Sequence, residues 1–195
     1  LSVTQGKPVG EIKAKVGIPL CLGFYEQLPF WHAFFTDLGF EVVCSEESTR
    51  NTYYKGQHTI PSDTVCYPAK IAHGHIESLL ERGVDFIFYP CESYNVDEGG
   101  SDNHYNCPVV AYYPELLKAN VSSLTEDNFL YPYIDINLKK HFAEAMMKSL
   151  KKYDLKKSDV LSAYDSAWKA LTSYRDDVIE QGRKIIEDAR ADGRK

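Results

Sequence analysis

Apolar residues recur along the first two thirds of the chain in short blocks parted by polar, glycine-bearing and proline-bearing stretches, the rhythm of strands alternating with helices. Residues 15–22 run apolar after a weak alternation and stop at Gly23, which predicts a buried parallel strand. Leu28, Phe30, Trp31, Phe34, Phe35 and Leu38 then recur at spacings near three and four. Residues 26–38 are therefore predicted helical, with a broad aromatic face on the core and Gly39 as the stop. Residues 40–45 read as a second strand. The short join at Gly39 makes a strand-helix-strand unit whose crossover is expected to be right-handed.

Periodicity is lost over residues 46–63, where Thr52, Tyr53, Tyr54 and Gly56 predict at most one helical turn before a loop that delivers Cys66. Pro68 suits the start of a helix, whose apolar face is Ile71, Ala72, Ile76, Leu79 and Leu80 and whose end is Gly83. Residues 84–89 predict a central strand, and Pro90 and Cys91 follow just past its carboxyl end. Residues 92–106 read as a polar loop, and residues 108–113 as a further strand with Cys107 at its entrance. Beyond Pro114 the pattern turns helical over residues 137–151 and 158–190, with Ser158 and Asp159 placed as caps. The expected organisation is a linker over residues 1–14, a Rossmann-like open parallel α/β sheet over residues 15–135, and a helical C-terminal extension over residues 136–195.

A length of 195 residues suits one principal core, and 44% hydrophobic with 26% charged residues is the balance of a folded domain. Apolar runs such as residues 84–90 and 109–113 fall far short of the about 20 residues a membrane span requires. Residues 1–15 lack the pattern of a signal peptide and read as a linker or fragment boundary. Lys and Arg number 22 against 28 Asp and Glu, a net charge of -6. The basic residues of the last third are mixed with acidic ones, so no single-sign field suits nucleic acid. Five widely spaced cysteines do not make a disulfide scaffold, and they predict a reducing cytoplasmic setting.

The ligand crevice of such a sheet lies beyond the carboxyl ends of its strands, where this reading puts Cys66 and Cys91; Cys107 returns there through the long loop. A helix N-terminus stabilises a thiolate, and three thiolates from separate loops can hold a four-iron, four-sulfur cluster with one iron open. Against this stands plain packing, since free cysteine often behaves as a small buried hydrophobe. Packing is the default for Cys21 and Cys44, inside predicted strands. Zinc would need one of His73, His75 or His104, and no C-x-x-C pair accompanies them. His73 and His75 point about 200° apart around a helix, so at most one serves a site. His75 is expected to be a hydrogen-bonded core histidine, and His73 is expected to face solvent. Residues 98–106 are rich in donors but lack the spacing of a phosphate loop. Cys66 with a nearby histidine lacks the third group of a hydrolytic site.

Several stretches carry a family likeness. They are Gly17-Ile-Pro-Leu, Phe30-Trp31 with Phe34-Phe35 and Leu38-Gly39-Phe40, and Ile60-Pro61-Ser62 running into Val65-Cys66-Tyr67-Pro68-Ala69-Lys70 and His73-Gly74-His75. Phe86-Ile87-Phe88-Tyr89-Pro90-Cys91 and Asn103-His104-Tyr105-Asn106-Cys107-Pro108 continue it. Over residues 15–135 the chain resembles the domain that follows the activase modules in large CoA-substrate-specific enzyme activases. That domain is similar to 2-hydroxyacyl-CoA dehydratase subunits and double-cubane cluster proteins, whose Rossmann-like domains bind iron-sulfur clusters through cysteines. The resemblance implies an iron-sulfur redox domain with Cys66 and Cys91 as cluster ligands and Cys107 as the third, beside activase and dehydratase-like domains of a larger chain. Dehydratase subunits also draw a ligand from a second α/β domain, which this chain is too short to contain. The implied site is then incomplete, and the isolated domain is expected without metal. Nothing matches the ATP-binding motifs of the activase, so no ATPase activity is expected. The alternative is a regulatory or docking domain without metal. The acyl-CoA substrate and the oligomeric state stay open.

Overall fold

Proline decides how the sheet is segmented. In the computed structural model, which describes residues 11–194, β1 (Lys15–Ile18) pairs in parallel with β2 (Glu41–Cys44) on one side and β3 (Phe86–Phe88) on the other. Beyond β3 lies a short strand, here numbered β5 (Phe129–Leu130), which completes the order β2-β1-β3-β5. Past Pro90 and Pro132 the same two lines resume as β4 (Cys91–Glu92) and β6 (Tyr133–Ile134), again parallel. Backbone bonds from Ile87 to Asn128, Tyr89 to Leu130 and Cys91 to Pro132 run through both segments at 2.8–2.9 Å. The strand lines are therefore continuous. The N–H that Pro90 lacks would point toward β1, which has already ended, so its loss costs the ladder nothing.

This is the expected Rossmann-like open sheet. Right-handed crossovers put α1 (Phe24–Asp37) on one face, because the chain moves from β1 to β2, and put α3 (Tyr67–Glu81) and α4 (Pro108–Asn120) on the other, because it then moves the opposite way. The short α2 (Arg50–Gly56) lies against α3. The two C-terminal helices, α5 (Lys139–Ser149) and α6 (Lys157–Ala191), pack over α1.

α1 is thus covered on two sides, which explains its aromatic width. Trp31 and Phe35 meet Phe88 of β3 at ring distances of 4.8 and 5.0 Å, while Phe30 meets Phe142 of α5 and Tyr164 of α6 at 5.7 and 5.8 Å. Edge-to-face pairs of this kind add to the burial energy of each ring.

Several boundaries move. Residues 108–113 are not a strand but the start of α4: Pro108 opens a helix well, and Ala111, Tyr113, Pro114 and Leu117 share its buried face. Burial of that face outweighs the one backbone bond that Pro114 forfeits. The outer strand lies instead in the two-residue segments flanking Pro132, too short to leave a periodic trace. Cys91 opens β4 rather than lying past the strand end, and Cys107 caps α4 rather than entering a strand. β1 stops at Ile18, so Cys21 belongs to the following loop. Residues 50–59 form α2 and a 3-10 turn, more helix than the single turn expected. The cap of α6 is Lys156, with Ser158 and Asp159 already in its first turn. Residues 1–10 of the expected linker lie outside the described residues.

α2 and α3 touch backbone to backbone through Gly56 and Gly74. A Cβ on Gly74 would sit 1.7 Å from the Thr52 carbonyl oxygen, and one on Gly56 would sit 2.2 Å from the Gly74 nitrogen. Gly182 of α6 has nothing within 4 Å. Gly74→Ala is expected to destabilise the chain by about 2–3 kcal/mol in urea unfolding. Gly182→Ala is expected to stabilise it by about 0.5–1 kcal/mol, because there only helix propensity changes.

Candidate functional site

Strand order reverses direction between β1 and β3, and the loops that leave their carboxyl ends part there to opposite faces. The cysteines lie toward this edge of the sheet but in different layers. Cys21 lies in the loop after β1, buried, with its sulfur 3.8 Å from the Tyr89 hydroxyl, and burial pushes its thiol up to about 12. The same loop spends the first N–H groups of α1: Phe24, Tyr25 and Glu26 donate to the carbonyls of Cys21, Leu22 and Gly23. Three amides at this helix start are thereby taken up in local turns.

Cys66 and Cys107 occupy matching positions. Each is the N-cap of a helix, at φ −63°, ψ 152° and φ −62°, ψ 152°, and each precedes a proline in the first helical turn. Both are exposed. The Cys107 sulfur accepts the Val110 N–H at 3.4 Å. α3 and α4 run parallel on the same face, linked by His73 Nε2 and the Tyr113 hydroxyl at 3.0 Å. His73 lies about two turns below Cys66 and Tyr113 about two turns below Cys107, so this link holds the starts of the two helices on the same side. Burial raises the Tyr113 hydroxyl to about 12, and the nearby Cys66 and Cys21 add to it.

Cys91 does not join them. It is 1% exposed, between β4 and α4, beside the Glu115 backbone and the Tyr133 hydroxyl. Burial pushes its thiol up to about 12, and the Glu115 carboxylate adds to the shift. Glu115 lies eight positions along α4 from Cys107, about 12 Å at 1.5 Å per residue. Among the described residues no three His, Cys, Asp or Glu side chains are grouped to hold a metal ion. Cys44 is half-buried in β2, with its thiol raised by burial.

His75 is a core histidine, as expected: its Nδ1 lies 2.7 Å from Ser45 Oγ and its Nε2 2.9 Å from Ser48 Oγ. His73 is buried too, against the expectation of solvent. The 3-10 turn after α2 and helix α4 cover that side, giving Nδ1 a partner in Thr59 at 2.7 Å besides the Tyr113 contact. Residues 46–63 read as mostly loop, so the cover over His73 left no trace in the pattern.

Sequence reasoning missed Glu92, which it left in a polar loop. Glu92 is 6% exposed and turns away from Cys91. Its Oε2 accepts a hydrogen bond from Gln27 Nε2 at 2.8 Å, and Gln27 Oε1 accepts one from Trp31 Nε1 at 2.9 Å. Its Oε1 has no partner. Burial pushes the carboxyl up to about 8. It lines a cleft of about 20 Å³ with Gly23, Phe24, Gln27, Tyr89, Pro90 and Val110. A polar Gln27 one turn before Trp31 on the aromatic face of α1 is the one hint the sequence offers.

The profile of the CoA enzyme activase uncharacterised domain matches residues 15–195. The chain belongs to this family. No curated protein and no solved structure matches it. In this CoA enzyme activase domain the match takes in α5 and α6 as well as the sheet. None of its described helices is long and apolar enough to cross a membrane.

His73 and His75 are both held near 4 by burial, against about 6.5 in an unfolded chain. Between those values the unfolded chain binds more protons, so stability should be full above about pH 6.5 and fall as pH drops toward 4. Denaturant unfolding at stepped pH checks this, with a shallower loss expected in His73→Gln.

Proposed function

We propose that this CoA enzyme activase domain is an iron-sulfur redox module in which Cys66 and Cys107 supply thiolates, serving acyl-CoA chemistry beside activase and dehydratase-like domains. One observation carries the reading: two exposed cysteines share one N-cap conformation at the starts of neighbouring parallel helices, on the carboxyl edge of the sheet. When bound, a cluster of this kind supplies one-electron transfer. The contribution of the chain is to hold each sulfur at a helix start, where the Cys107 sulfur already accepts the Val110 N–H.

The fit to a four-iron cluster is partial. Three or four sulfurs are needed, and Cys91 is packed under α4 on the order of 12 Å from Cys107. In this reading Cys91 is a core thiol, and the remaining ligand comes from a neighbouring domain. A second reading, a docking domain without metal, is favoured by the far half of α6, where Val178, Ile179, Ile185 and Ile186 are exposed.

Anaerobic reconstitution with iron and sulfide separates the two, using a chain that includes the neighbouring domains. Bound iron and visible absorption are expected in the wild type and in Cys91→Ala. Both should fall at least about tenfold in Cys66→Ala and in Cys107→Ala, since each removes a ligand. Iron that survives the loss of Cys66 and Cys107 would sink the proposal, and no iron in any form would leave the docking reading.

A further inference from the structure

Alternation along β4 sends Cys91 toward α4 and Glu92 toward α1, into the cleft at the switch point. The orientation of the Glu92 carboxyl group follows from a chain of two hydrogen bonds. Trp31 donates its indole N–H to Gln27 Oε1, so the Gln27 amide must present N–H to Glu92, and Glu92 Oε2 accepts it. Oε1 is then left over, and among the described residues it is the one buried side-chain nitrogen or oxygen without a partner.

The cleft around it is apolar on most sides, with Phe24, Tyr89, Pro90 and Val110 as walls. No Lys, Arg or His lines it, and the first N–H groups of α1 are spent on their own turn. The single Gln27 N–H is outweighed by burial, so the group stands as a neutral carboxylic acid. Because Oε2 is the acceptor, the proton sits on Oε1, a buried O–H donor with no acceptor from this chain.

We propose that this cleft, with room for about one oxygen-sized atom, is a subsite for the carbonyl oxygen of a small uncharged ligand, received by the Glu92 carboxyl as donor, the rest of the ligand lying at the mouth beside Phe24, Tyr89 and Val110. A ketone, thioester or amide offers the lone pair that such a donor lacks. An ammonium or a metal ion would instead require the carboxylate. The subsite involves none of the exposed cysteines and stands apart from the iron-sulfur reading.

The test titrates the 195-residue chain, ¹⁵N-labelled, with S-ethyl thioacetate and separately with N-methylacetamide; ethyl methyl sulfide serves as a control without a carbonyl. Either carbonyl probe is expected to move the Trp31 indole N–H and Gln27 side-chain amide signals saturably, and the sulfide is not. A response to the thioester alone assigns an acyl thioester, and a response to the amide alone assigns an amide; either supports the subsite, as does a response to both. Glu92→Gln replaces the O–H donor with an N–H and should hold the affinity within about threefold. Glu92→Met, of similar length with no donor, should weaken it by about tenfold, the worth of one neutral hydrogen bond. The other backbone amide signals report whether each variant is folded. A ¹³C-labelled carbonyl on the probe gives a reading in the wild type that needs no variant, a saturable downfield shift. The proposal is overturned by no saturable response to either carbonyl probe in the wild type, or by undiminished affinity in folded Glu92→Met. It is equally overturned if Glu92→Gln abolishes the response while methylammonium binds the wild type, which would make Glu92 a carboxylate for cations. Cys66→Ala and Cys107→Ala should leave the response intact, so failure of the iron reading is distinguishable from failure of this one.

Discussion

The aromatic seam of α1 is the contact on which the other layers depend. Phe30, Trp31, Phe34 and Phe35 are fully buried because the helix is pressed between the sheet and the pair α5 and α6. A helix covered on one side needs a single apolar stripe, whereas one covered on two sides needs a wide one, and aromatic rings fill that width with few residues. Rings reach Phe88 below and Phe142 and Tyr164 above, so one helix ties the sheet to the C-terminal helices. Burying rings of this size contributes several kcal/mol each on the usual area scale.

With α1 anchored on one face and α3 and α4 on the other, the carboxyl edge of the sheet becomes a place where unlike groups are kept apart. The adjacent residues Cys91 and Glu92 face opposite layers because successive strand residues alternate. The thiol disappears under α4, while the acid meets the Gln27 and Trp31 side chains. Cys66 and Cys107 stay exposed because helix caps sit where the chain arrives from a surface loop. Exposure and burial of sulfur are thus set by position within the elements rather than by the residue type.

Close approach carries its own constraints. The Gly56 and Gly74 backbones meet so tightly that no side chain fits, and this lets α2 and the following turn lie over His73. The two buried histidines, each satisfied by hydroxyl partners, fasten the elements around α3: His75 binds the loop after β2, and His73 joins the 3-10 turn to α4. A buried imidazole with both nitrogens engaged is held neutral and costs little.

Much of this was legible from residue order alone. The stripe of α1, the helix opening at Pro68, the central strand before Pro90 and the two C-terminal helices all show in local periodicity, because each buries one face repeatedly over several turns or residues. The core role of His75 was visible the same way, from its place beside the apolar face of α3. Residues 108–113 were not, since a short apolar run bounded by prolines suits a strand or a helix equally, and only packing against α3 and the sheet chose the helix. The cover over His73, the separation of Cys91 from Cys66 and Cys107, and the buried acid at Glu92 were likewise decided by tertiary structure. Local sequence sets which face of an element is apolar; which neighbours lie against that face, and at what height along it, depends on contacts between residues far apart in the chain.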